Sequence, residues 1–145
     1  MSEPLYNSRI LRLAAEVPHF GRLDAPMGTA RKVSPVCGSR VDADVDVNAG
    51  GRINRFAQDV RACALGQASA SLLGSRVIGL SGPEIVAAGE ALGAYLRAEG
   101  PLPGGWPELE IFGPAQAHKA RHASILLPFL AAGDAATLAA ASQAA

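Results

Sequence analysis

The sequence predicts an α+β fold. Its central observation is strict alternation over residues 41–48, closed by Gly50-Gly51, which reads as a strand and a hairpin turn. Helical spacing of apolar residues before and after that hairpin is the second observation. The third is the order helix, hairpin, several helices, with no internal repeat. The chain of 145 residues suits one domain with a modest core, and 49% hydrophobic against 18% charged residues argues against disorder.

In chain order, residues 5–17 place Tyr6, Ile10, Leu13 and Val17 on one helical face, with Pro4 in the first turn and Pro18 ending it. Residues 18–35 carry prolines and glycines with little periodicity and read as extended loop. Val41, Ala43, Val45 and Val47 then share one strand face, while Asp42, Asp44, Asp46 and Asn48 share a solvated one. A second strand returns over residues 52–60. The small residues from Cys63 to Gly74 suit a tightly docked helix. Ser81 and Glu84 form a capping box for a helix that buries Ile85, Ala88, Leu92 and Leu96 and stops at Gly100. Residues 101–107 form a surface loop with the only Trp. A last helix starts near Ser124, which makes Pro128 tolerable, and Asp134 can cap the alanine-rich stretch behind it. The expected division is a single domain over residues 1–133 and an alanine-rich tail, helical or frayed, over 134–145.

Lys and Arg together number 13, as do Asp and Glu, so the electrostatic footprint of a general nucleic-acid binder is missing. No apolar run approaches the roughly 18 residues of a membrane span, and no secretory signal pattern opens the chain. Two distant cysteines do not make a disulfide scaffold, so the expectation is a cytoplasmic domain with reduced thiols. Phosphate-loop and nucleophile-elbow motifs are absent, and the three aspartates read as a solvated strand face rather than an acid–base pair.

The cysteines are more informative. Cys37 sits in a Pro35-to-Gly38 turn just before the first strand, and Cys63 sits where the second strand ends and a helix begins. A helix N-terminus offers free N–H groups and a positive dipole end, which favour thiolate. Because a hairpin returns the chain to its starting end, both sulfurs are expected at the same end of the sheet.

These residues carry a resemblance. Pro35-Val36-Cys37-Gly38, the hairpin, and the run from Cys63 through Gln67 to Leu72 resemble the U-type iron–sulfur cluster scaffold proteins (NifU N-terminal domain, IscU, SufU). Tyr6, Ile10 and Leu11 are similar to the family's opening helix, Pro18-His19-Phe20-Gly21-Arg22-Leu23 to its following turn, and Arg121 to Leu126 to its third-cysteine segment. The resemblance implies a small antiparallel sheet with helices packed mainly on one face, completed by a third strand within residues 21–36. It implies a scaffold or carrier and no enzyme: three cysteines and an aspartate hold a nascent cluster or zinc, sulfur arrives as persulfide from a cysteine desulfurase, and the cluster passes to apo recipient proteins. Cys37 and Cys63 match the first two cysteines. Ser39 stands at the aspartate position, Ala123 at the third cysteine, and Val60-Arg61-Ala62 where the family has Gly-x-Gly. The family's Leu-Pro-Pro-Val-Lys chaperone element is absent, with Gln116 to Ala120 in its region.

Thiolates favour zinc and iron–sulfur clusters, and a stable site needs four ligands. His122, next to the missing cysteine, is the best candidate to join Cys37 and Cys63; His118 and His19 are weaker ones. Alternatively two chains supply four thiolates for a transient [2Fe–2S] cluster bridging a homodimer. A third route uses no metal: Cys63 accepts persulfide sulfur or forms a disulfide with Cys37. The rival reading is a module that docks on a cysteine desulfurase without ligating anything. No nucleic acid or membrane partner is expected.

Overall fold

The computed structural model describes residues 5–35 and 38–144. Helix α1 (Ser8–Ala15) is opened by Asn7, whose side-chain oxygen accepts from the Ile10 N–H at 3.0 Å. That cap starts the helix later than residue 5. Tyr6 therefore lies ahead of α1 and is exposed, while Ile10 is fully buried and Leu13 and Val17 pack partly against the core. Pro4 lies outside the described residues.

Three strands, β1 (Gly28–Val33), β2 (Arg40–Val47) and β3 (Ile53–Arg61), form an antiparallel meander in chain order. β1 supplies the third strand within the segment expected to hold it. At the hairpin, Asn48 Oδ1 accepts from the Gly50 and Arg52 N–H groups, and Gly51 takes φ +79°. Residues paired across an antiparallel sheet share a face. Val45 is flanked by Gly28 and Phe56, and Ala43 by Ala30 and Gln58, so these make up the side toward the helices.

The other face differs from the solvated surface expected of it. Asp44 is completely buried and Asp42 nearly so. Phe20 bridges to Gln58 on β3, and β1 lies at the opposite edge, so residues 21–27 traverse this face. From that strap, Arg22 donates to both Asp44 oxygens (2.7 and 3.1 Å) and the Leu23 N–H donates at 3.0 Å; the Thr29 hydroxyl of β1 donates as well. The Met27 N–H donates to Asp46 at 2.9 Å, and Arg31 covers Asp42 at 2.7 Å. Burial alone would push the Asp44 carboxyl up, but the Arg22, Thr29 and Leu23 hydrogen bonds together outweigh it and hold it below the ordinary carboxylate range.

All four α-helices of the described residues belong to the other side. α2 (Ala64–Arg76) packs on β3, and α4 (His122–Ala144) packs on β1 and β2 and against α2; α1 flanks α2, and α3 (Gly82–Leu96) flanks α4. The small side chains of α2, Ala68 to Ser71, are all buried in this close arrangement. α3 has the expected capping box and buries the expected residues, but it ends at Leu96, with Ala98 rather than Gly100 making the left-handed exit at φ +58°. Trp106 is not on a surface loop: it is buried edge-on against Phe129, with ring centres 5.3 Å apart, and leads into a 3-10 segment over Pro107–Ala117.

α4 begins at His122, two residues before the expected start, so Pro128 lies inside it. The chain from residue 134 continues this helix, with Ala135, Ala136 and Ala139 buried. Asp134 caps nothing there; it pairs with Lys32 of β1 at 2.8 Å. One expectation needs direct correction. Residues Lys119–Gln143 contain an 18-residue window of mean hydropathy 1.6, which does reach a membrane span in length and composition. In this fold 61% of that window is buried among the sheet and the neighbouring helices, as an alanine-rich core helix requires.

Candidate functional site

The ends of two strands and the starts of two helices meet at one end of the sheet. Arg40 and Arg61 are paired, which places Ser39, just before β2, near Cys63, which follows β3 by two residues. Cys63 is the N-cap residue of α2, with extended backbone (φ −66°, ψ 171°) and its carbonyl accepting from the Gln67 N–H at 2.9 Å. Its side chain makes no capping bond, so the half-buried sulfur is left to other partners. The partner it has is Ser124: Sγ and Oγ are 3.2 Å apart. Ser124 Oγ is in turn 3.4 Å from Ser39 Oγ, and both serines are buried.

Close approach of α4 to α2 makes this contact. A Cβ on Gly66 would meet Ser124 Oγ at 2.5 Å and Ala62 Cβ at 2.7 Å, so only glycine leaves room for Ser124 beside the start of α2. Ser69 Oγ donates to the Ile125 carbonyl at 2.5 Å one turn further on. Pro128, having no N–H, cannot donate to the Ser124 carbonyl as a helical residue four places on would.

Of the sequence candidates, Cys37 lies outside the described residues; its neighbours Gly38 and Ser39 are in the β1–β2 turn, where the Gly38 N–H donates to the Ser34 carbonyl at 2.8 Å. His122 stands at the start of α4, and its Nε2 donates to the Ala115 carbonyl at 2.8 Å. A carbonyl can only accept, so in the neutral ring the free lone pair is on Nδ1. His19 is taken up by the fold: its carbonyl accepts from the Gln58 N–H, and its ring packs edge-on against Phe56. His118 joins the two 3-10 segments and is exposed. Among the described residues no group of three or more His, Cys, Asp or Glu side chains gathers as a metal site would need. Ser124 and Gly66 lie in segments that carry the resemblance, residues 121–126 and 63–72, but their meeting beside Cys63 depends on the phase of α4 against α2, which no pattern in the chain gives.

Solved structures share this architecture. The crystal structure of the N-terminal part of a nitrogen-fixing NifU-like protein from Brucella abortus is 39% identical, covers 92% of this chain and 93% of its own, and superposes with a TM-score of 0.87. The chain belongs to the U-type scaffold family. Two more distant structures share the U-type fold. A candidate iron–sulfur cluster assembly scaffold for the SUF system (FiSufU) from Fervidobacterium islandicum AW-1 is 17% identical, with 91% and 96% of the two chains covered and a TM-score of 0.79. A hypothetical protein is 21% identical, with 90% and 95% covered and a TM-score of 0.77. No family model and no curated protein matches the chain. The hydroxyls beside Cys63 in this chain are those of Ser124, at 3.2 Å from the sulfur, and of Ser39 behind it.

Proposed function

We propose that this chain is an iron–sulfur cluster assembly scaffold that holds iron and sulfide, or a transient [2Fe–2S] cluster, at Cys37 and Cys63 and passes it to apo recipient proteins. The observation that carries this reading is the 39% identity to the NifU-like structure over nearly the full length of both chains. The local chemistry supports it: Cys63 caps a helix without using its sulfur, at the end of the sheet where the Cys37-bearing turn begins and ends. His122, through Nδ1, is the third donor available within the chain, and zinc can stand in for the cluster on the same donors. The sulfur source on this reading is the persulfide of a cysteine desulfurase. The role is that of a carrier without turnover chemistry, in a cytoplasm that keeps the thiols reduced.

Anaerobic reconstitution with ferrous iron and sulfide tests it. The parent is expected to retain near-equal iron and acid-labile sulfide, and Cys63→Ser to lose both. No retained iron or sulfide in the parent would overturn the scaffold reading. The second reading is a module that docks on a cysteine desulfurase and accepts persulfide or ligates nothing. Desulfurase binding at undiminished affinity by the Cys37→Ala/Cys63→Ala double variant is the outcome it expects.

A further inference from the structure

We infer that the outer edge of β1 is a docking site for an extended acidic segment of a partner protein. The Ser34 N–H donates to the Ser39 carbonyl at 2.8 Å, which makes these opposed residues a hydrogen-bonded pair. Bonded and non-bonded pairs alternate along an antiparallel ladder, so Thr29, Arg31 and Val33 turn their N–H and C=O groups away from β2. No backbone group among the described residues meets them there, and all three side chains are exposed. The opposite edge of the sheet is closed. On β3, Gln58 donates to the His19 carbonyl and accepts from the Gly21 N–H, both at 2.9 Å. Ile53 likewise donates to the Leu80 carbonyl and accepts from the Gly79 N–H. The chain thus covers one edge itself and leaves the other open to strand addition.

Two features beside the open edge say what covers it. A groove of about 390 Å³ lies between β1 and α4, with Leu138 half exposed on its α4 wall. A strand added to β1 directs alternate side chains over this groove and the others beside Arg31. The Arg31 side chain is 58% exposed, whereas that of Asp42, which answers it, is only 6% exposed, so the pair presents its guanidinium to a partner. Apolar residues toward Leu138 alternating with acidic ones toward Arg31 are the complementary pattern. A second copy of β1 is the wrong occupant. Laid antiparallel with matching faces, the register centred on residue 31 sets Arg31 opposite Arg31, and the next sets Lys32 opposite Lys32. Like charges directly opposite destabilise a strand pair, so the cations that turn this chain away select an acidic one.

The test uses the full-length chain and a fluorescein-labelled ten-residue peptide of alternating valine and aspartate. Fluorescence anisotropy reads the affinity, and amide hydrogen exchange followed by NMR reads the place. The amides of Thr29, Arg31 and Val33 are expected to gain about tenfold protection, with those of β3 unchanged. A peptide of alternating valine and lysine should bind about tenfold more weakly. Val33→Pro removes one outward N–H without taking a bond from the β1–β2 ladder, and is expected to weaken the acidic peptide about fivefold. Leu138→Glu, which leaves the sheet backbone untouched, should weaken it by a similar factor and serves in place of a Val33→Pro that does not fold. The inference is overturned if the acidic peptide fails to bind at millimolar concentration, if it protects amides elsewhere, or if the lysine peptide binds as well. It is equally overturned if both variants bind like the parent. Protection of the three amides in concentrated protein without peptide would replace the partner with a second copy of the chain and overturn it too.

Discussion

A carboxylate with no exposed surface in the middle of a sheet is costly unless its lone pairs are filled, and Asp44 has all of them filled. Arg22 and Leu23 come from the strap and Thr29 from β1, so this one side chain fastens both to β2. The Asp44 carboxyl is held below its ordinary range by those bonds, so the ionised form is favoured in the folded state over the unfolded one. Its contribution is fully present above the unfolded value, about 3.9, and is lost as the pH falls through the lower folded value. Asp44→Asn should cost about 3 kcal/mol at pH 7 in urea unfolding, with the gap to the parent closing below about pH 4. An equal gap at pH 7 and pH 3 would mean that the charge is not what matters. The alternation of valine and aspartate tells which residues share a face of β2. It carries nothing about what lies over the second face, because Arg22 is 22 residues away in the chain and the strap has no periodicity to announce it. Cys63 was legible as a candidate for the opposite reason: its signal, the end of a strand followed by a run of small residues, is local.

At the scale of elements, the fold depends on how near α4 can lie to its neighbours. The capping box of α3, the hairpin at Gly50-Gly51 and the small residues of α2 are short-range patterns and could be read in the chain. The depth at which α4 is seated could not, because alanines from residue 134 onward look like a tail until a surface is found for them. That surface is β1, and Gly28 is its closest point. A Cβ at Gly28 would overlap the Ala135 carbonyl oxygen and stand 2.6 Å from the Ala139 nitrogen, both backbone atoms that cannot turn aside. Gly28→Ala is expected to destabilise the protein by about 2–3 kcal/mol, a fall in Tm of about 5–10 °C for a chain of this size. Gly104→Ala is the matched control: its Cβ would meet nothing within 4 Å, and its melting temperature should stay at that of the parent. A Gly28→Ala variant that melts with the parent would show that α4 lies on β1 loosely, and with it that the tail contributes little to the core.

For the whole molecule the open matter is how many chains make one site. Each chain brings two thiols, while a [2Fe–2S] cluster takes four protein ligands. Ser39 and Ser124, neutral hydroxyls already bonded to one another, are poor substitutes for thiolates toward iron. On the proposed scaffold function, completion would come from His122 together with an external ligand, or from Cys37 and Cys63 of a second chain. The two routes differ in mass, which makes them separable. If a second chain completes the shell, anaerobic loading with iron and sulfide should double the mass measured by light scattering after size exclusion, at about one [2Fe–2S] per two chains. Chelation of the iron should return the protein to monomer, and Cys63→Ser should remain monomeric throughout. His122→Ala should dimerise like the parent on this route, since its imidazole is not needed. A loaded protein that stays monomeric would rule out the second chain. His122→Ala would then be expected to lose the iron, because no other imidazole lies beside the third-cysteine position in this sequence.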